Sequence, residues 1–362
     1  MNAVRHQLEP LMLKRGEVDS HPGLLLQRYL HESAVGEEGK SEHKRQIIDA
    51  AIKSAANADV LALYKSAYQR WQQTLPTTNI VLQTEGRLIV GLGSENVLET
   101  GIWLHHTYGL PTLPGSALKG LAAHYCDQVW GQRDNSDPSD DALKFRGPRK
   151  ADRSLNRTTE PHGVFHKLLF GANDESGCIV FHDGWFVPDS DSSPLKLDVM
   201  TPHHPKWLDG SEPPTDFDSP IPIPFLSVAG KFHIAVAWYG PERDQANDWT
   251  KLALSLLTDA LKNWGIGGKT SSGYGRLDVP PPPPPPEPYK GKSGESVDAV
   301  LLTEKTKKGG WRAQIKGHSQ SGPVQNNDAV SSDVKEGNVV QLLIASINDR
   351  EVAFKWPPTI KK

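Results

Sequence analysis

Gly265-Ile-Gly-Gly-Lys-Thr-Ser-Ser-Gly-Tyr-Gly275 is the stretch on which the reading of this chain turns. It directly follows Asp248 to Trp264, where Trp249, Leu252, Leu256, Leu257, Ala260, Leu261 and Trp264 make one apolar stripe at helical spacing. It precedes Arg276 to Val279, a short strand. Ahead of the helix, Lys231 to Tyr239 alternates Phe232, Ile234, Val236 and Trp238 with His233, Ala235 and Ala237, the period of a strand. Strand, helix, glycine loop and strand in succession predict an α+β domain closing on this segment.

Glycine permits positive φ and lets a ligand approach main-chain N–H groups, and five of the eleven loop residues are Gly. Lys269, Thr270, Ser271 and Ser272 add a charge and hydroxyl donors, so the loop reads as a cradle for phosphates. It is not a nucleotide P-loop: the position of the required first Gly holds Asn263, a helix precedes it where a strand is needed, and a proline run follows where a helix is needed. The plain alternative is a Gly-rich turn into an edge strand.

A chain of 362 residues is long enough for two or three domains. Its net charge of -3 excludes nucleic-acid binding by global positive charge and leaves only local patches for that role. Cys126 and Cys178 are far apart and form no metal-binding spacing. The first residues lack a signal-peptide run, and no stretch approaches the ~20 apolar residues of a membrane span, so a soluble cytoplasmic protein without a membrane partner is expected.

Residues 1–43 are expected to be an irregular docking segment with one short helix near Leu24–Leu30, and 44–279 the core. The core opens with helices over 43–75, broken near Asn57-Ala58-Asp59. Strands are expected at Ile80–Leu82, Leu88–Leu92 and Leu98–His106. A helix then starts at Pro114-Gly115-Ser116, with Ser116 as N-cap. Residues 131–161 read as a long mobile insertion, acidic and then basic. A helix at Val164–Phe170, a strand over Cys178–Val187 and a long loop over 188–222, with a possible strand at Leu195–Met200, complete the core. Pro280 to Pro286 form a polyproline spacer in a linker over 280–294, and 295–362 read as four short strands of a small all-β, OB-like module.

A second loop, Gly101 to Gly120, places His105, His106, Tyr108, Ser116 and Lys119 around a strand-to-helix turn where an anion could sit. The candidate anion-contacting residues are therefore His105, His106, Ser116 and Lys119 here, and Gly267, Gly268, Lys269, Thr270, Ser271, Tyr274 and Arg276 at the glycine loop. Tyr274 is the candidate for stacking on a base or sugar. Arg146, Arg149, Lys150, Arg153 and Arg157, with Lys144, make a basic run suited to phosphates or to balancing the acidic run before it. His105-His106 and His203-His204 with Asp183 or Asp198 support a metal poorly, because adjacent histidines on a strand point to opposite faces. No cofactor and no catalytic set are expected, and His182-Asp183 reads as plain strand. A metal-independent endoribonuclease using His105 or His106 stays open as an alternative, as does a purely architectural role.

At these residues the chain resembles the RAMP superfamily, RNA-binding subunits of CRISPR effector complexes. The glycine loop, His105 to Gly120, Leu169-Phe-Gly171 and Asp198-Val-Met-Thr-Pro-His-His204 together resemble the family of the sixth subunit of the type III-B Cmr complex, over roughly residues 44 to 279. The family pattern has a second Ser where this chain has Ala117 and an Arg where it has Ala123. The resemblance implies a ferredoxin-like, RRM-related core and a place at the end of the effector's RAMP filament. It implies as partners the guide RNA near its 3′ region, the target RNA, the backbone and terminal RAMP subunits and the small helical subunit. It also implies no catalysis of the chain's own.

Overall fold

The chain divides into two units, Met1–Pro280 and Pro281–Lys362. A computed structural model describes residues 21–28, 37–94, 96, 98, 100–131, 140–148, 163–173, 175–190, 192–201, 203–204, 207, 210–217, 222–241, 244–282, 287–306, 309–326, 335–348 and 351–357. The first unit contains helices α1 (Pro22–Arg28), α2 (Glu37–Ala55), α3 (Ala58–Gln72), α4 (Gly115–Tyr125), α5 (Asp140–Lys144), α6 (Val164–Phe170) and α7 (Ala246–Asn263). Its strands are β1 (Asn79–Thr84), β2 (Thr112–Leu113), β3 (Gly171–Ala172), β4 (Glu175–Ser176), β5 (Ile179–Phe181), β6 (Gly184–Phe186), β7 (Leu195–Met200), β8 (Ile223–Val228), β9 (Lys231–Trp238) and β10 (Leu277–Asp278). The second unit holds β11 (Ser296–Lys305), β12 (Trp311–Ile315), β13 (Ser321–Gln325), β14 (Val339–Ile347) and β15 (Val352–Lys355). Among the described residues no helix is long and apolar enough to cross a membrane.

β9 is the hub of the main sheet. β1 pairs with it antiparallel, setting Ile80 against Ile234 and Leu82 against Phe232, while β5 and β6 take successive halves of its other edge. The full order is β10-β1-β9-β6-β2, with β5 beside β9. β9 is buried from Phe232 through Val236 because the sheet is covered on both sides. On one side His233 meets α3: Tyr68 Oη donates to Nδ1 at 2.9 Å, and Nε2 donates to Asn79 Oδ1 at 2.9 Å. That pairing satisfies both ring nitrogens of a neutral imidazole inside the fold. The apolar stripe of α7, Ala253, Leu256, Leu257, Ala260 and Leu261, is fully buried in the same core.

The expected break in the N-terminal helices is an N-cap: Asn57 Oδ1 accepts from the N–H groups of Asp59 at 2.8 Å and Val60 at 3.3 Å. The boundary drawn after residue 43 falls inside α2, and Leu25 and Leu26 of α1 are buried in the core. Two expected strands are not strands. Leu88 and Ile89 make single bridges to Val228 and Gly267 before Gly91 turns the backbone at φ 89°, and 98–106 ends in a tight turn where Gly109 N–H donates to His105 O. The Cys178–Val187 strand is split at His182-Asp183 into β5 and β6. Part of the expected mobile insertion is ordered: α5 leads into Phe145, whose ring meets Trp130 and Phe165 at 5.3 and 5.1 Å. Prolines hid two strands, β8 with Pro224 and β13 with Pro323, because a proline inside an apolar run reads as a break.

The second unit is a closed barrel in the order β11-β12-β13-β15-β14, five strands where four were expected. β13 and β15 pair parallel and all other neighbours antiparallel. Val297, Ala299, Leu301, Ala313, Ile315, Val324, Leu342, Ile344, Val352 and Phe354 fill its core. Buried Gln320 accepts from Tyr289 N–H at 2.6 Å and donates back to Tyr289 O at 3.2 Å, which fastens the end of the linker to the barrel.

Candidate nucleic-acid interface

The glycine loop leaves α7 through Trp264 and doubles back on itself, Ile266 N–H donating to Gly275 O at 2.9 Å. A single-turn 3-10 helix, Thr270–Ser272, forms its tip. Two of its glycines are demanded by close approach: a Cβ at Gly267 (φ 89°) would stand 2.1 Å from Ile89 O, and one at Gly275 (φ 81°) 2.1 Å from Ile266 O. Gly268 N–H donates to Ile89 O at 2.8 Å, and Gly275 N–H to Arg87 O at 2.8 Å. These glycines therefore fasten the loop to 87–89. An outside anion is offered the start of the tip, the N–H groups of Lys269, Thr270 and Ser271, together with the hydroxyls of Thr270 and Ser271. Lys269 itself adopts the left-handed region at φ 58°, ψ 30°, a conformation that costs a non-glycine residue about 1–2 kcal/mol.

The hairpin β7–β8 braces this loop from the side. Tyr274 Oη donates to Asp198 Oδ2 at 2.6 Å, Ser227 Oγ reaches the same carboxylate oxygen at 3.5 Å, and the Tyr274 ring packs 6.2 Å from Phe225. Burial, then the Asp198 carboxylate, pushes the Tyr274 phenol up to about 12. Lys269 Nζ lies 5.7 Å from the Phe225 ring centroid. Tyr274, expected to stack on RNA, is half-buried, with its hydroxyl held by Asp198 and its ring beside Phe225. Its observable work is holding the loop tip against the hairpin.

α4 is brought beside the glycine loop although about 150 residues separate them in sequence. Ala117 and Leu121 face Trp264, Gly267, Thr270 and Ser271 across a groove of about 560 Å³. Ser116 and Lys119, on the other flank of the helix, line a second groove of about 700 Å³ with β5 and Tyr239. Ser116 is not the N-cap. Pro114 holds that position without a side-chain bond, and Asp183 Oδ1 accepts from Gly115 N–H at 2.7 Å. A carboxylate from the β5–β6 break thus already accepts an N–H group at the helix start. No local signal at Asp183 shows this, because the partner lies 68 residues away.

His105 belongs to an aromatic cluster. Its Nδ1 accepts from Thr107 N–H at 3.2 Å, and its ring meets Tyr108 and Trp185, each at 4.8 Å. His106 is exposed. Burial lowers the affinity of His105, His21 and His233 for a proton below the ordinary value of 6.5; His106 adds to the lowering at His21 and His105, against Asp183 at His105. Each binds its proton more weakly when folded, so the unfolded chain protonates first as the pH falls. Their contribution is complete above the unfolded value and lost as the pH drops through it towards the lowered folded values. The thermal midpoint of the first unit is expected to fall between about pH 7 and about pH 5. A midpoint that holds or rises across that window would overturn this assignment.

Of the basic run, Lys144 lies 5.5 Å from the Phe165 ring centroid and Arg146 O accepts from Gly163 N–H at 2.9 Å. Arg149, Lys150, Arg153 and Arg157 lie outside the described residues. Arg276 is exposed next to the loop, its carbonyl accepting from Glu85 N–H. Among the described residues no three His, Cys, Asp or Glu side chains are grouped so as to hold a metal ion.

The sequence of this core matches the model of the RAMP superfamily over residues 81–278, more than half of the chain. The chain belongs to the RAMP superfamily. It is 32% identical over 250 residues to the CRISPR system Cmr subunit Cmr6 of Pyrococcus furiosus, a match that covers 59% of this chain and 72% of that protein. Among solved structures, the crystal structure of Cmr6 from Pyrococcus furiosus is 31% identical, with 56% of this chain and 97% of that one covered and a TM-score of 0.35. A cryo-EM structure of the type III-B Cmr-beta bound to cognate target RNA matches at 15% identity, with 77% of this chain and 88% of that one covered and a TM-score of 0.47. Membership rests on the sequence. The RAMP match ends at Asp278, ahead of the proline run, so the barrel lies beyond it.

Proposed function

We propose that this RAMP protein is a non-catalytic, RNA-binding subunit of a type III-B CRISPR effector complex. In this reading it ends the RAMP filament near the 3′ region of the guide RNA and contacts the guide–target duplex. The likeness to a Cmr subunit supports the complex. The observation that carries RNA binding is the convergence of α4 and the glycine loop on one groove, with Thr270 and Ser271 on one wall and Lys269 next in the chain, its Nζ over the Phe225 ring. Backbone phosphates suit such a surface, because it offers N–H groups, hydroxyls and a cation but no base-reading pocket of its own.

Strand order supports a ferredoxin-like core. With β5 and β6 taken as one broken strand, the order β10-β1-β9-β5/β6 is that of a split β-α-β pair, with α4 and α7 as its two crossovers. The strand order of the barrel likewise supports an OB-like module. His105 is half-buried with its Nδ1 engaged, so of the two histidines of the endoribonuclease alternative His106 is the exposed one. Purified full-length protein is expected to bind single-stranded RNA with an affinity that falls linearly with salt on logarithmic axes. Absence of binding, or binding indifferent to salt, would overturn the proposal.

A further inference from the structure

The groove on the other flank of α4 has a composition of its own. Its floor is apolar, from Phe170, Ile179 and Phe181, and its rim carries Lys119, the Ser116 hydroxyl and Tyr239, whose side chain is 83% exposed. Tyr239 is held in place by its backbone: its N–H donates to Cys178 O at 2.7 Å, extending the pairing of β9 with β5 by one residue. Glu175, the acidic side chain of the lining, is paired with Lys167 at 2.6 Å. With Glu175 held by Lys167, Lys119 is the cation of the groove lining, while the Asp183 carboxylate accepts from Gly115 N–H at the helix start. At about 700 Å³ it is of the size that encloses a small ligand or one nucleotide.

Resting on the RNA-binding reading above, we infer that this groove receives one unstacked nucleotide of the bound RNA. Its base stacks on Tyr239, its apolar edge lies against Ile179 and Phe181, and the neighbouring phosphate pairs with Lys119. α4 then separates two kinds of contact: backbone phosphates on the glycine-loop side and a single base on the Tyr239 side. Tyr239 is the more exposed of the two tyrosines beside these grooves. Tyrosine provides a large face at the cost of few rotamers, and stacking on it is tolerant of base identity. A site of this kind prefers an unpaired position to duplex, because the base must leave its own stack to enter.

The test uses the full-length protein and fluorescently labelled single-stranded RNA, with binding measured across a salt series. Tyr239→Ala is expected to weaken binding by about 5- to 150-fold, the range for removing one aromatic stacking partner. The salt slope should stay that of the wild type, since a neutral ring releases no counterions. Tyr239→Phe should bind like the wild type. Scanning an abasic site along the RNA should reveal one position where loss of the base weakens the wild type but not Tyr239→Ala. The inference is overturned if Tyr239→Ala binds like the wild type while Lys269→Ala still flattens the salt slope. Capture of a peptide strand on the free edge of β5, with RNA affinity unmoved, overturns it equally. If the wild type itself fails to bind RNA, the parent reading has failed first, and that result is distinct from both.

Discussion

Lys269→Ala is expected to lower RNA affinity about fivefold near 0.1 M salt and to flatten the dependence of log affinity on log salt by about 0.7, the share of one phosphate contact on a single strand. Lys119→Ala should do the same, and the double variant should lose about the sum, because Lys119 lines the groove beside β5 while Lys269 Nζ lies 5.7 Å from the Phe225 ring centroid. The loss should be equal for RNAs of different sequence, since phosphates carry no sequence information. Lys65→Ala, an exposed lysine on α3, provides the comparison and should leave the slope unchanged. The left-handed backbone of Lys269 adds a second signature. Lys269→Gly removes the charge but relieves the φ strain, so it should melt higher than Lys269→Ala while binding RNA no better. An unaltered slope in Lys269→Ala would remove the phosphate role.

Gly267→Ala is expected to be, with Gly275→Ala, among the most damaging substitutions in the glycine loop. The added methyl would stand 2.1 Å from Ile89 O, in a backbone at φ 89°, and the atom it meets belongs to main chain that cannot swing aside. Left-handed strain of about 1–2 kcal/mol adds to a displacement cost of about 1–3 kcal/mol. The total of about 2–5 kcal/mol is a large part of the stability of an ordinary domain. A drop of roughly 10 °C in the thermal midpoint of the first unit is expected. Gly273→Ala is the comparison, because its φ is 86° but nothing lies within 4 Å of the added carbon. It should cost only the strain, about 1–2 kcal/mol. Equal melting of the two variants would mean that the contact with Ile89 does not hold the loop.

Periodicity made the regular elements legible. The stripe of α7, the alternation of β9, the helices around Asn57 and the helix Val164–Phe170 are local patterns that satisfy themselves within a few residues. What failed was set by partners. Leu88 to Leu92 has the alternation of a strand, yet Gly91 turns it after two bridges. β8 and β13 contain prolines and were not among the expected strands, yet each is paired along its length. Ser116 has the chemistry of an N-cap, but Asp183 of a distant strand break reaches Gly115 first.

The candidate interface shows the same division. Lys269, Thr270, Ser271 and Lys119 are visible in sequence because glycine density and the helix start announce them. The jobs of the neighbours are not visible. The bond from the Tyr274 hydroxyl to Asp198, 76 residues away, has no local signal. Tyr239 looked like the end of a strand until the fold set it on the rim of a groove with Lys119. Backbone conformation and capping are decided over a few residues, so composition alone determined that this chain carries a glycine-rich loop between a helix and a strand. Side chains acquire roles from whatever packs against them, so only the tertiary structure decided which loop glycines serve the fold, which tyrosine braces the loop and which stands exposed.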